Sequence, residues 1–535
     1  MNNLEKLFFR IVLIFSLGVF FINCEGEDGL NGIDGQDGVD GIDGQDGEDG
    51  VDGQDGEDAT VNAIFSDKSA TPPLVAIAPQ FNFVTATSLL STPDVLDNGF
   101  QIAGSVDGAG FLEDPNSDGY IYVVNCEDTY GVARIFLDEN LTPRTGDYLL
   151  NSGVADFARQ CSGTMWEAAI HGGSQDIFLS ASESFNYDVK AIDPYVSVPT
   201  PTADFGLDAL GEFGWENAVP LPQGAYSGQT VIIGGDDDSN EVTNFGQVTL
   251  YHSENGDADF QGGSIYVLKF LEVSDGAGEV MAADTTTLYD EADLDFGVSY
   301  RVEFVEIENG ADLNILEMGQ ACTGVAAAQF MRVEDVDYQK GSDENGRNVF
   351  FAVTGRGPGQ GTFNDWGTVY RLELDADSPL TGSLTQVISG NTAGSNNEDG
   401  NLAELQSPDN ITVTERFIYT QEDPNSFDRG HAAQIYQSDL FGNNITEVLE
   451  LVVRQDLDPN GSTGFSGEFG ALEDISDKVG IPGTFILNLQ PHYWESDDFM
   501  SLDGHTYAGA LGSDGRTGRE DDQASQIVLL RGLPR

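Results

Sequence analysis

Short runs of β-branched and aromatic residues, each closed by Gly, Asp or Asn, recur along most of the chain, and no other feature limits its fold so tightly. They are GYIYVVN (119–125), GVARIFLDE (131–139), QTVIIGGDD (229–237), GQVTLYHS (246–253), GGSIYVLKFLEV (262–273), RNVFFAVTG (347–355), GTVYRLELD (367–375), RFIYTQED (416–423) and GTFILNLQ (483–490). Each alternates or clusters residues that suit a strand buried on one or both faces. Helical periodicity is scarce, and ADLNILEMGQACTGVAAAQF (311–330) is its best example. Residues 59–535 contain no obvious linker and are too many for an ordinary sandwich. The expectation is all-β: a six-bladed propeller with long inserted loops and a few short helices. The 65 glycines suit a turn-rich fold, and four cysteines are too few for a disulfide scaffold.

Charge narrows the function. The 91 Asp and Glu face 22 Lys and Arg, a formal net charge of −69. That excludes nucleic acid as a partner, because phosphate backbones are gripped by clustered cations. A 39% apolar content with 10% aromatics still supports a large core.

The N-terminus reads as a targeting segment. Lys6 and Arg10 flank IVLIFSLGVFF, short for a membrane span but suited to the apolar region of a signal peptide covering residues 1–23. Arg10 has no arginine neighbour, which argues against a twin-arginine route. The run ends at Cys24, where a bacterial lipoprotein carries its acylated cysteine; ordinary cleavage with Cys24 incidental is the competing reading. From Gly26 to Gly56 every third residue is glycine, the collagen period, yet without proline. Residues 25–58 hold ten Asp and four Glu with no Lys or Arg, so three such strands would repel one another. An extended tether, screened by calcium, fits better than a trimerising stalk. The expectation is an exported outer-membrane or cell-surface lipoprotein that meets a membrane only through its lipid anchor.

GxxxxGK[ST], HExxH, paired CxxC and GxSxG are all missing, and the five histidines are scattered. Attention moves to carboxylates, hard ligands for calcium which, with a thiolate, also hold iron. They recur at strand ends in VVNCEDTYGV (123–132), ARQCSGTMWE (158–167) with IFLSASES (177–184), FGWENAVPL (213–221), FMRVEDVDY (330–338), LQSPDNITV (405–413) and TQEDPN (420–425), before a closing LNLQPH (487–492). This series, in this order, resembles the PhoX-type alkaline phosphatases and their propeller relatives.

The resemblance implies a propeller with a central site for iron and calcium that hydrolyses phosphomonoesters outside the cytoplasm. Carried over residue by residue, it makes Cys161 an iron ligand, Glu216 and Glu334 carboxylate ligands, and Asp409 with Asn410 ligands from the PDN loop. Glu127 and Glu183 join the metal set. Apart from the resemblance, guanidinium chemistry suits Arg332 to steady the phosphate by bidentate hydrogen bonds. The chain departs from the family at Cys126, where the family has His, and at Ser182, where it has a second Glu beside Glu183. Residue chemistry is compatible, since a chain so poor in cationic side chains must meet phosphate with metal ions. Two other classes stand beside this one: a calcium-stabilised binding propeller without activity, and a different propeller hydrolase such as a lactonase or diesterase. An acid at a strand end is most often a solvated turn residue, and Glu422 is taken as such a surface acid. Asp114 to Gly119 resembles half a calcium loop without its closing glutamate and reads as a turn. Trp166, Trp215 and Trp366 read as wall and core. Cys126 and Cys322 are either a disulfide or two free thiols, with nothing local to pair them.

Overall fold

The computed structural model describes residues 69–153, 159–183, 188–196, 206–357, 362–390, 400–424, 429–458, 467–505 and 522–535. The chain divides between Val61 and Asn62. The expected signal peptide, the acylated Cys24 and the glycine-aspartate tether all lie outside the described residues. No described helix is long and apolar enough to cross a membrane.

The fold is all-β and propeller-like: among the described residues, four antiparallel sheets of three to five strands and one two-stranded hairpin stand beside a nine-stranded sheet that nearly closes on itself. All nine expected strands form, for example Tyr120–Cys126, Thr230–Asp236, Asn348–Val353 and Thr484–Gln490. The expected helix is shorter, Ile315–Val325. Asn314 caps it by accepting from the N–H groups of Leu316 and Glu317, and Glu317 accepts in return from the Asn314 N–H, which closes a capping box.

Six strands that strand periodicity misses build the centre. These inner strands are Val106–Glu113, Gly163–Trp166, Trp215–Pro220, Val333–Tyr338, Pro408–Val413 and Glu468–Asp474. Each packs on the next, and the sixth packs back on the first. Four of them begin a separate sheet, while the third and fourth are the two ends of the nine-stranded sheet, joined far from the centre by Ser299–Glu306. The core lies between adjacent sheets. Trp166 and Leu179 of the second sheet pack with Trp215, Ile232 and Tyr251 of the nine-stranded one. Both tryptophans are 1% exposed, which confirms them as core.

Chain closure is built from the two N-terminal strands. Thr85–Ser91 pairs with Gln526–Arg531 at the outer edge of the last sheet, and Val75–Ile77 pairs with Thr446–Leu451 in the sheet before it. Leu89 and Leu90 are buried there, so the closing strand adds core as well as hydrogen bonds. Near the axis the backbones approach too closely for side chains. A Cβ on Gly108 would meet the Gly163 nitrogen at 2.0 Å, and one on Gly470 would meet the Asp107 Cα at 2.7 Å.

Asp114–Gly119 is a turn, as expected: the Asp114 carboxylate accepts from the Asn116 N–H and the Ser117 hydroxyl. Cys126, Cys161 and Cys322 are free thiols. Cys126 sits in the apolar core beside Val106 and Val124.

Candidate metal centre at the axis

An acid stands at the N-terminal end of five of the six inner strands: Asp107, Glu216, Glu334, Asp409 and Glu468. The second inner strand instead has Cys161 just ahead of Gly163. In all five acid-bearing strands the pairing slips beside the acid, as between Val106 and Ala109, Trp215 and Asn217, and Val333 and Val336. The same slips occur between Pro408 and Ile411 and between Phe469 and Leu472. A bulge interrupts the two-residue alternation and re-aims one side chain, here toward the axis. The approach to four of these positions is also distorted. Ser105, Arg159, Arg332 and Ser407, each two residues before Asp107, Cys161, Glu334 or Asp409, have φ of 48°, 49°, 67° and 42°. Such non-glycine left-handed residues cost on the order of 1–3 kcal/mol each and cluster where function fixes the backbone.

The result is a cavity of about 400 Å3 lined by nine carboxyl groups, the Cys161 thiol, Arg159, Arg332 and His492. Ligating atoms converge in three groups, each within 4.8 Å: Asp107, Glu127 and Cys161; Cys161, Glu183 and Glu216; and Glu216, Glu334 and Asp409. Cys161 and Glu216 each belong to two groups. The two arginines brace four of the acids. Arg159 donates to Glu183 at 2.6 Å and to Glu127 at 2.7 Å. Arg332 donates to Asp237 at 2.5 Å and pairs with Glu334 at 2.9 Å. Among the described residues, Nη1 of either arginine has no partner.

Beneath the acids lies a layer of short polar side chains that ties neighbouring strands together. Ser162 donates its N–H to Glu216 at 3.2 Å and its hydroxyl to Asn410 Oδ1 at 3.2 Å. Asn217 donates to Asp335 at 2.5 Å, whose other oxygen accepts the Ile411 N–H at 3.0 Å. These bonds hold the acids in register.

Charge in the cavity is unbalanced. Burial pushes the Glu216 carboxyl well above its usual range, and Asp409 and Asp107 push it further. Burial does the same to Asp107, Asp409 and Glu468, with neighbouring acids adding to it. Glu334 follows in spite of Arg332. Burial would also raise Glu183, but Arg159 and a hydrogen bond from Asp237 outweigh it and hold the carboxyl at about 2. Buried carboxylates at this spacing are stable together only with counter-charge, and two guanidinium groups are too few for nine. The donor set, mostly carboxylate oxygen with a single sulfur, fits hard cations together with one more thiophilic metal.

Seven residues singled out from the sequence meet here: Glu127, Cys161, Glu183, Glu216, Arg332, Glu334 and Asp409. Asn410 does not line the cavity; it lies in the polar layer, where its amide also donates to Asp107 at 3.3 Å. Glu422 is not a surface acid. It is fully buried and accepts the N–H groups of Gln406 at 2.9 Å and Gln434 at 3.0 Å. Sequence reasoning missed Asp107, Arg159, Asp237 and Glu468, and it assigned no role to Asp423, which also lines the cavity.

No family model and no curated protein matches the chain. Among solved structures it is similar to Pseudomonas fluorescens PhoX in complex with vanadate, a transition state analogue. That match has 15% identity and a TM-score of 0.54, and covers 88% of this chain and 98% of the other. A glycoside hydrolase, the family 43 YxiA protein from Bacillus licheniformis, matches with 12% identity and a TM-score of 0.28, over 88% of this chain and 99% of its own. The first of these likenesses is one of fold.

Proposed function

We propose that the chain is an exported, metal-dependent phosphomonoesterase on a six-bladed propeller, its third and fourth blades fused through Ser299–Glu306. The observation that carries the reading is the axial cavity, where three overlapping groups of carboxylate and thiol ligands stand beside two braced arginines. The PhoX fold likeness, and the vanadate held by that protein, support it. The group containing Cys161 with Glu183 and Glu216 suits iron, and the all-oxygen group of Glu216, Glu334 and Asp409 suits calcium. Cations held there supply the positive charge that phosphoryl transfer needs at the non-bridging oxygens.

The protein's own groups do the orienting. Arg332 is fixed through Nε and Nη2 by Asp237 and Glu334, and Arg159 by Glu183 and Glu127, so each presents Nη1 at a set position. An N–H from each reaches a phosphate oxygen without further loss of side-chain freedom. The braced acids keep both arginines charged in a buried site.

The test is elemental analysis of the purified chain beside p-nitrophenyl phosphate hydrolysis with added calcium. Expected are stoichiometric iron and calcium, activity lost in both Glu334→Gln and Asp409→Asn, and iron but not calcium reduced in Cys161→Ser. Full activity in Glu334→Gln, or unchanged iron in Cys161→Ser, would leave the binding propeller as the better account. Export with acylation at Cys24 belongs to the same proposal, supported by the N-terminal sequence. Mass spectrometry of the mature N-terminus tests it, and an unmodified terminus elsewhere would refute it.

A further inference from the structure

A second cavity, of about 600 Å3, lies along the C-terminal halves of the inner strands, on the far side of the polar layer. Its lining is of another kind from that of the metal centre. Phe111, Met165, Val336, Ile411, Val413 and Leu472 give it apolar walls, and charged groups stand around them. Three cations reach it in a chain that has few, yet each is already neutralised. Lys340 pairs with Asp337, Lys478 with Glu167 at 2.6 Å, and Arg535 with Asp474 at 2.6 Å and Asp477 at 2.8 Å. Glu473 is left over. It sits next to Leu472 on the sixth inner strand, is partly buried, and makes no direct hydrogen bond or ion pair among the described residues, although Lys478 and Lys340 act on it through space. Glu113 and Asp343 add two exposed carboxylates to the same cavity.

We propose that this cavity binds a small organic cation, an ammonium group carrying an apolar body. Three observations select that class. The lining holds eight carboxyl groups against two lysines and one arginine, so the local field favours a positive charge over a negative one. No group of three metal-ligating atoms forms here among the described residues, whereas three form in the axial cavity. The apolar walls match a hydrocarbon body and offer a hydrated metal ion nothing. Burial pushes the Glu473 carboxyl up to about 7 even though Lys478 and Lys340 pull it down.

Isothermal titration calorimetry of the full chain, with benzylamine as probe and benzoate as control at fixed ionic strength, tests the proposal. Saturable binding of one benzylamine is expected, with benzoate binding more weakly. Glu473→Gln should weaken benzylamine at least tenfold. Lys478→Gln should strengthen it, because Glu167 is released from its ion pair. Glu334→Gln, in the axial cavity, should leave it unchanged. No saturable benzylamine binding, tighter benzoate binding, an unchanged affinity in Glu473→Gln, or loss of binding in Glu334→Gln would each overturn the assignment.

Discussion

Glu216→Gln should change the sign of its effect on stability when the cations are removed. Glu216 belongs to two of the three ligand groups, and its partners in them include the carboxylates of Glu183, Glu334 and Asp409 within 4.8 Å. At an effective dielectric of about 20, two ionised carboxylates at that distance repel by about 3.5 kcal/mol. Burial is the first reason Glu216 resists ionisation when no cation is present, and three charged neighbours would add about 10 kcal/mol to that cost. A neutral amide of the same shape removes that repulsion and keeps the bond from the Ser162 N–H. The chelated variant should therefore melt at or above the chelated wild type. With cations bound, the same change weakens two sites. A site filled at a hundredfold excess over its dissociation constant stabilises by about 2.7 kcal/mol, so losing two removes about 5 kcal/mol. Unfolding entropy of about 2.1 cal/mol/K per residue over Asn62–Arg535 converts this to roughly 5 °C. Calorimetry of both proteins, loaded and chelated, decides it. Equal destabilisation in both states would show that Glu216 acts only through packing, and a wild-type Tm indifferent to chelation would remove the metal centre itself.

Other outcomes follow from single residues. Arg332→Lys keeps the charge but loses the paired bonds to Asp237, so kcat/KM for a phosphomonoester should fall roughly 10- to 100-fold, read by steady-state kinetics. Glu291 is fully buried and raised by burial from 4.5 to about 8, so the unfolded chain releases its proton first and stability falls as pH rises from about 4.5 through 8. Glu291→Gln should remove that loss, gaining up to about 4 kcal/mol near pH 8 and little at pH 5 in urea unfolding; an equal gain at both pH values would refute it. A chain starting at residue 93 lacks the strand that pairs with Gln526–Arg531 and should lose cooperative unfolding, read by calorimetry.

The outer architecture was legible and the centre was not, for one physical reason. Strands such as Tyr120–Cys126 and Asn348–Val353 lie inside a sheet with neighbours on both edges, so packing selects unbroken β-branched and aromatic runs. An inner strand meets the axis at its N-terminal end and the apolar core further along. In five of the six, the sequence begins with an acid, is cut by a bulge, and has only a few apolar residues left, as in WENAVP or PDNITV. Period-two scanning cannot find it. Family wording found Glu216, Glu334 and Asp409 because an amide or acid follows each of them, Asn217, Asp335 and Asn410, which builds the polar layer. Asp107 and Glu468 are followed by Gly108 and by Phe469-Gly470, where the backbones are too close for such a side chain, so the same wording is absent. Asp237 is hidden in a run of three aspartates. The remaining signal is positional: one acid ahead of the second strand of a sheet, as Asp107 precedes Tyr120–Cys126, Glu216 precedes Thr230–Asp236 and Glu334 precedes Asn348–Val353. Applied ahead of Thr484–Gln490, that rule points to the segment holding Glu468. The acids are therefore placed by the repeat of the fold, and their chemistry comes from the convergence that the repeat imposes on them at one axis.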